Sequence, residues 1–137
     1  MRFMMLMIPK GYEKAEPGTM PEVDAVEAMM AYNKALEQAG VLIGLEGLHP
    51  LSMGARVTFD GGQATVTDGP FVETHEVLGG FWMIRVSSKQ EAIEWAKRCP
   101  ASDNETIEIR QIQDFDDFPE DIQQVAKDFP DLQKNLK

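Results

Sequence analysis

Two histidines, His49 and His75, are the side chains of this chain best suited to transfer a proton near neutral pH. A nearby carboxylate, such as that of Asp68, could fix the tautomer of an imidazole and raise its pKa. His49 and Asp68 both follow predicted strands, where a cavity lined by a sheet would open. They are therefore the predicted catalytic pair. In the alternative interpretation, His49 hydrogen-bonds locally and Asp68 caps a turn through its own backbone.

Three charged residues are predicted as ligand-binding neighbours of this pair: Arg56, Glu73 and Arg110. Arg110 belongs to a polar stripe with Thr106 and Glu108 on the last predicted strand. Such a stripe could line a cavity and bind an anionic or polar ligand. It could equally be the solvent-facing side of an edge strand that carries protective charges.

Neither a metal site nor a cofactor is predicted. The two histidines and the neighbouring glutamates lack a ligand spacing such as His-x-x-x-His on a helix. Cys99 is expected at the C-terminal end of a helix, where the helix dipole does not stabilise a thiolate. It is therefore interpreted as a packed small residue. The pairs Gly61-Gly62 and Gly79-Gly80 do not join a strand to a helix, so they are interpreted as turn and bulge residues and not as a nucleotide cradle.

Composition limits the classes of function. The 137 residues are the usual size of one domain, and the net charge of −10 disfavours binding to nucleic acid through a basic surface. No segment approaches the ~20 apolar residues of a membrane span, and the apolar run 3–8 is too short for a signal peptide. A single cysteine is typical of a reducing compartment. A cytoplasmic protein is expected, with no partner among nucleic acids or membranes.

The hydrophobic pattern predicts an α+β domain with the element order β-α-β, a β-hairpin, and β-α-β. This is a ferredoxin-like antiparallel sheet with two helices on one face and an extra hairpin. Asp60-Gly61-Gly62 is a strong hairpin signal, and Glu91 is placed for a capping box with Ser88. Strands are predicted at residues 2–8, 41–48, 55–60, 63–67, 78–87 and 106–112, and helices at 22–39 and 88–99.

Two of the predicted strands are apolar on both faces. In the first strand Phe3 and Met5 alternate with Met4 and Leu6, and the run 81–84 behaves alike. Two helices cover only one face of such a sheet, so the other face needs a second cover. A second copy of the sheet is the simplest one and predicts a homodimer. The alternative is that the C-terminal segment folds back over this face.

The chain is expected to divide into an α+β domain, residues 1–112, and an acidic extension, residues 113–137. The extension contains spaced apolar residues, and Pro119 is suited to the start of a helix. A short helix is therefore expected, packed on its own subunit or on the partner. The apolar residues are Phe115, Phe118, Ile122, Val125, Phe129 and Leu132.

Several stretches, in this order and spacing, resemble the YCII-related family in its DGPF branch, which is named for the tetrapeptide at 68–71. The resemblance covers roughly residues 1–112 and implies a dimeric α+β barrel. The stretches are Ala31-Tyr32-Asn33-Lys34-Ala35-Leu36, Ala39-Gly40-Val41-Leu42, Glu46-Gly47-Leu48-His49-Pro50, Val66-Thr67-Asp68-Gly69-Pro70-Phe71, Glu73-Thr74, Gly79-Gly80-Phe81-Trp82 and Glu91-Ala92-Ile93-Glu94-Trp95-Ala96.

The resemblance also implies two functional contexts. Some YCII-type members are proposed to use a His–Asp pair with the histidine in the first helix. That position falls near Met29, and the predicted helix holds no histidine, so the pair is absent in this form. Some DGPF domains are associated with sigma-factor-like proteins, which suggests a regulatory role. The leading hypothesis is thus a dimeric small-molecule-binding protein with acid–base chemistry, and the alternative is a non-catalytic regulatory or interaction module.

Overall fold

The strands and helices follow one another in the predicted order. The computed structural model describes residues 1–69 and 76–127 of the chain. The strands are β1 (Arg2–Ile8), β2 (Leu42–Gly47), β3 (Ala55–Asp60), β4 (Gln63–Asp68), β5 (Gly80–Arg85) and β6 (Thr106–Gln111). The helices are α1 (Val23–Gln38), α2 (Lys89–Lys97) and α3 (Glu120–Ala126). Short 3₁₀ turns lie at Tyr12–Lys14, Leu51–Met53 and Phe115–Asp117.

Four strands form one antiparallel sheet in the order β2-β5-β1-β6. Helices α1 and α2 cover one face of this sheet, while β3 and β4 form a separate two-stranded hairpin. The architecture is a ferredoxin-like α+β fold with an added hairpin, as predicted. The two strands that are apolar on both faces, β1 and β5, occupy the centre of the sheet. A central strand is shielded by a neighbouring strand on each side, so apolar residues are least exposed there.

The core between the sheet and the helices is built from alternate residues of the central strands. Phe3, Met5 and Ile84 are almost completely buried and meet Leu36 of α1 and Ala92 of α2. The alternation of strand side chains places all three strand residues on the same face. This face therefore forms the hydrophobic core.

Polar atoms inside this core have partners. The Tyr32 and Trp82 rings meet edge to face, with centroids 5.7 Å apart. The Tyr32 hydroxyl donates to the Trp95 carbonyl at 2.7 Å, and Trp82 Nε1 donates to Asn33 Oδ1 at 2.7 Å. Burial raises the pKa of the Tyr32 phenol, so this side chain stays protonated and keeps its role as a donor.

Helix α2 begins at the predicted cap, with one difference in the hydrogen bonds. The Ser88 hydroxyl accepts from the Glu91 backbone N–H at 3.1 Å, as an N-cap residue does. The Glu91 carboxylate reaches past Ser88 and accepts from the hydroxyl and backbone N–H of Ser87. These hydrogen bonds lower the pKa of Glu91. The reciprocal half of the capping box is therefore displaced by one residue.

The opposite face of the sheet has no helix of the described chain against its centre. Met4, Leu6, Phe81 and Met83 lie side by side on it and are only half-buried. The polar stripe of β6 continues this face, because Arg110 and Glu108 are the register partners of Met4 and Leu6. We call these residues, with Thr106, the open sheet face.

The segment that follows β6 is attached to the sheet by an ion pair. The Arg2 side chain is 5% exposed, and its guanidinium donates to Asp114 Oδ1 through Nε at 3.1 Å and Nη2 at 2.9 Å. Beyond it, Ile122 and Val125 of α3 are 48% and 66% exposed. Residues Phe129 and Leu132, which belong to the predicted extension, lie outside the described residues.

None of the described helices has the length and apolar composition that a membrane crossing requires.

We expect Asp114→Asn to destabilise the protein by about 2 kcal/mol, because a buried guanidinium loses its counter-charge while the side chain keeps its size. Urea unfolding followed by circular dichroism measures the change. Asp116→Asn, at an exposed neighbour, is the matched control and should leave the unfolding free energy nearly unchanged. Equal effects of the two substitutions would show that the ion pair does not stabilise the fold.

Burial raises the pKa of the Cys99 thiol to about 11. Because the folded state disfavours the thiolate, stability is fully present below the pKa of the unfolded thiol and is lost as pH rises through the folded pKa. At pH 8.5, iodoacetamide should alkylate Cys99 at least about tenfold more slowly in the native protein than in urea. Mass spectrometry reports this rate without ambiguity, since the chain has one cysteine. Similar rates in both states would contradict a thiol protected by burial.

Candidate functional site

His49 lies on the loop that leaves the C-terminal end of β2. The next residue, Pro50, is buried and begins the 3₁₀ turn Leu51–Met53. Proline restricts the backbone of the residue before it to extended conformations. The buried proline thus holds the loop in place, while the His49 side chain remains exposed.

A first cleft of about 490 Å³ opens beside His49 and contains two further charged side chains, Arg56 of β3 and Glu76. The remainder of its wall is largely apolar. His49 and Arg56 were both predicted as site residues, and the structure places them on the same cleft. The other lining residues are Leu48, Pro50, Leu51, Met53, Gly54, Val77 and Leu78.

A second cleft, of about 470 Å³, lies on the other side of the same loop and shares Leu48 and His49 with the first. Tyr12 lines it and donates its hydroxyl hydrogen bond to the Leu48 carbonyl. Burial raises the pKa of the Tyr12 phenol, which keeps it protonated near neutral pH. The other lining residues are Met7, Pro9, Thr19, Met20, Pro21, Gly47 and Gly79.

Tyr12 is a site residue that the sequence pattern did not identify, because residues 10–21 are rich in glycine and proline and were interpreted only as a loop. The usable signal was an aromatic residue inside such a loop. Aromatic side chains with a polar tip need both an apolar surface and a hydrogen-bond partner.

Asp68 is the last residue of β4, where the sequence pattern predicted a turn residue outside the strand. The pairing of the two hairpin strands extends to Asp68, which is the register partner of Ala55. One residue further along the chain, the Gly69 N–H donates to the Gly54 carbonyl at 2.9 Å. Asp68 lines neither cleft. Within residues 1–69 and 76–127, no hydrogen bond or ion pair joins it to His49.

The backbone segments that follow His49 and Asp68 are nevertheless in contact. A Cβ on Gly69 would lie 2.0 Å from the Leu51 carbonyl oxygen, so only glycine allows this approach. Leu51 belongs to the turn that directly follows His49 and Pro50. The loop of His49 and the strand end of Asp68 are therefore adjacent, although their side chains share no bond.

The remaining predicted ligand-binding residues have different locations. Arg110 lies on β6, the sheet edge opposite to β2, and its guanidinium is 3.6 Å from the Glu108 carboxylate. Two strands separate those edges, so Arg110 belongs to the open sheet face and not to the clefts beside His49. Glu73 lies outside the described residues, as does His75.

The arrangement around His49 is suited to binding a small molecule and to moving a proton. An exposed imidazole lies between one cleft with a cation and a carboxylate and another with a protonated phenol. Among the described residues, no group of three or more histidine, cysteine, aspartate or glutamate side chains could hold a metal ion.

Comparison with known proteins identifies relatives of this chain. Residues 1–116 match the family model of the YCII-related domain. An uncharacterized protein of Rhizobium meliloti (strain 1021) is 35% identical over 69 residues, which are 50% of this chain and 56% of that protein. The aligned part therefore spans about half of this relative's length. Because the family model covers most of the residues and the fold agrees with it, the chain belongs to the YCII-related family.

Proposed function

We propose that this protein is a homodimer that binds a small molecule beside His49 and uses the imidazole as a general acid or base. The observation that carries the proposal is the position of His49, whose exposed side chain lines both clefts. A proton-transfer group must reach a bound molecule within hydrogen-bond distance. His49 has this access from either cleft.

The lining of the first cleft suggests the class of ligand. Its apolar residues favour a mostly hydrocarbon body, and Arg56 offers donors to an anionic or polar group. Glu76 shares the cleft and offers an acceptor to a hydroxyl or amide. A compact organic acid, or a neutral molecule with a hydroxyl or amide group, fits this set.

Asp68 remains the proposed partner of His49, because the contact of Gly69 with Leu51 holds the two segments together. Glu73 remains a proposed ligand-binding residue. Arg110 is proposed for a different part of the molecule, since it can contribute only to a cavity enclosed between two open sheet faces.

The homodimer is supported by the open sheet face. Its centre is apolar, with Met4, Leu6, Phe81 and Met83 half-buried in the single chain. Two copies related by a two-fold axis would cover each other's apolar centre. The division at residue 112, the DGPF branch and a cytoplasmic location are parts of the same proposal.

A second candidate function is a non-catalytic regulatory or interaction module with a role in transcription regulation through a protein partner. The apolar side chains of the hairpin favour it, because Val57, Phe59 and Val66 are 53%, 75% and 64% exposed. Exposed apolar patches of this kind commonly mark interaction sites. The two candidates differ in whether the clefts beside His49 bind a small molecule.

Substitution of His49 tests the ligand-binding proposal. We expect benzoate, benzamide or benzyl alcohol to shift the amide resonances of Leu48 and Arg56 with a Kd of about 1 mM, the strength typical of small fragments. His49→Ala should weaken this binding at least about tenfold, the effect of losing one hydrogen bond to the ligand. Two-dimensional NMR titration is the measurement.

Lys34→Ala, at an exposed residue of α1, is the control and should bind the probes as the wild type does. Both variants should melt near the wild-type temperature, because neither side chain is buried. If none of the three probes shifts the cleft residues at about 10 mM, the small-molecule proposal fails and the interaction module becomes the better candidate.

Substitution in the open sheet face tests the dimer. Met83→Lys should convert the dimer to a folded monomer, because a charge would be buried at the centre of the interface but is tolerated in a half-exposed position of the single chain. Met30→Lys makes the same change on α1, where Met30 is 59% exposed, and should leave the dimer intact. Sedimentation velocity at micromolar concentration distinguishes these results, and a monomeric wild type would refute the dimer.

A further inference from the structure

The hairpin β3–β4 projects from the body of the protein without support. Every residue of both strands is exposed, and the described elements make no substantial contact with either strand apart from the strands' own pairing. A two-stranded hairpin is at best marginally stable by itself in water. We call it the arm, and its stability in the folded protein requires a cover.

The arm nevertheless has a defined backbone geometry at both ends. At its tip Gly61 and Gly62 have φ angles of 55° and 80°, which matches the primed turn that gives paired strands their natural twist. At its base the Gly69 N–H donates to the Gly54 carbonyl, and Gly69 packs on Leu51. The turn at the base is also joined to the loop 10–21, because the Ser52 hydroxyl donates to the Ala15 carbonyl at 3.0 Å. The arm is therefore attached to the body at its base, while both of its strands stay uncovered.

The two faces of the arm differ in chemistry. Val57 pairs with Val66 and Phe59 with Ala64, which places these side chains on one face. Thr58 pairs with Thr65, and Arg56 with Thr67, on the other face. An alternation of apolar and polar residues is typical of a strand with one buried and one solvated face. The arm thus has a defined apolar face that the single chain leaves in water.

The area that a stable dimer needs indicates what covers this face. Four strands about 4.8 Å apart, six or seven residues long at about 3.3 Å per residue, project an area of about 400 Å². A stable interface buries about 800 Å² of accessible surface per partner. Side-chain relief makes the accessible area of such a face larger than its flat projection, and the open sheet face alone would still form an interface at the small end of the range for stable complexes. The arm follows the edge strand β2 through the turn Leu51–Met53, and its apolar face is apolar surface available to extend the interface.

We propose that the arm packs its apolar face on the second copy of the chain and forms the outer part of the dimer interface. This inference rests on the proposed homodimer and assigns the arm a role within it. Because Arg56 belongs to β3 and lines the cleft beside His49, docking of the arm also fixes one wall of the proposed ligand site. The site then reaches its binding geometry only in the dimer.

The test compares two substitutions on adjacent residues of β3. Phe59→Asp places a charge on the apolar face, whereas Thr58→Asp places the same charge on the polar face. Both residues are exposed in the single chain, so both variants should fold. We expect Phe59→Asp to raise the dimer dissociation constant at least about 100-fold, since a large aromatic contact is lost in both copies. Thr58→Asp should change it less than about threefold, as measured by sedimentation equilibrium.

Hydrogen exchange supplies an independent measurement. Amides of β3 and β4 should exchange at least about tenfold faster in monomeric Met83→Lys than in the wild-type dimer, because the arm loses its cover. Equal exchange in the two proteins would overturn the inference. A dimer that Met83→Lys dissociates but Phe59→Asp does not weaken would also overturn it and leave the sheet-mediated dimer standing. A monomeric wild type would refute both proposals.

Discussion

The constraint on which this structure depends is that two helices cover only one face of a four-stranded sheet whose central strands are apolar on both. On the covered face Phe3, Met5 and Ile84 are excluded from water and form the core with α1 and α2. On the open face the equivalent residues, such as Met4 and Met83, are only half-buried. A protein that remained monomeric would gain solubility from polar residues there. The apolar open face is the feature from which the proposed assembly follows.

The same sheet positions the candidate site. Strand β2 is an edge strand of the sheet. From its C-terminal end the chain continues into the loop of His49 and then into the arm. Close backbone contact of Gly69 with Leu51 fixes the base of the arm against that loop. His49, Arg56 and Tyr12 come from three separate segments, and they meet beside one loop because the fold brings their backbones together.

Membership of the YCII-related family determines the fold more firmly than the chemistry. The first helix, α1, carries Met29 near the position where some members are proposed to use histidine, and Met29 packs against the hydrophobic core. A thioether cannot transfer a proton. Any acid–base chemistry in this chain therefore depends on a group elsewhere, and His49 is the histidine among the described residues that lines a cleft.

The sequence by itself determined the element order, the sheet faces and the family, because strand alternation, the cap at Ser88 and the Gly61-Gly62 turn are local properties of the chain. It also placed His49 in a loop after a strand. Only the tertiary structure decided which distant residues meet there. It brought Tyr12 to His49 as well as the predicted neighbour Arg56, and it left the other predicted arginine, Arg110, on the opposite edge of the sheet. Such contacts depend on strand order and on backbone approaches between segments far apart in sequence, which no local pattern of residue types encodes.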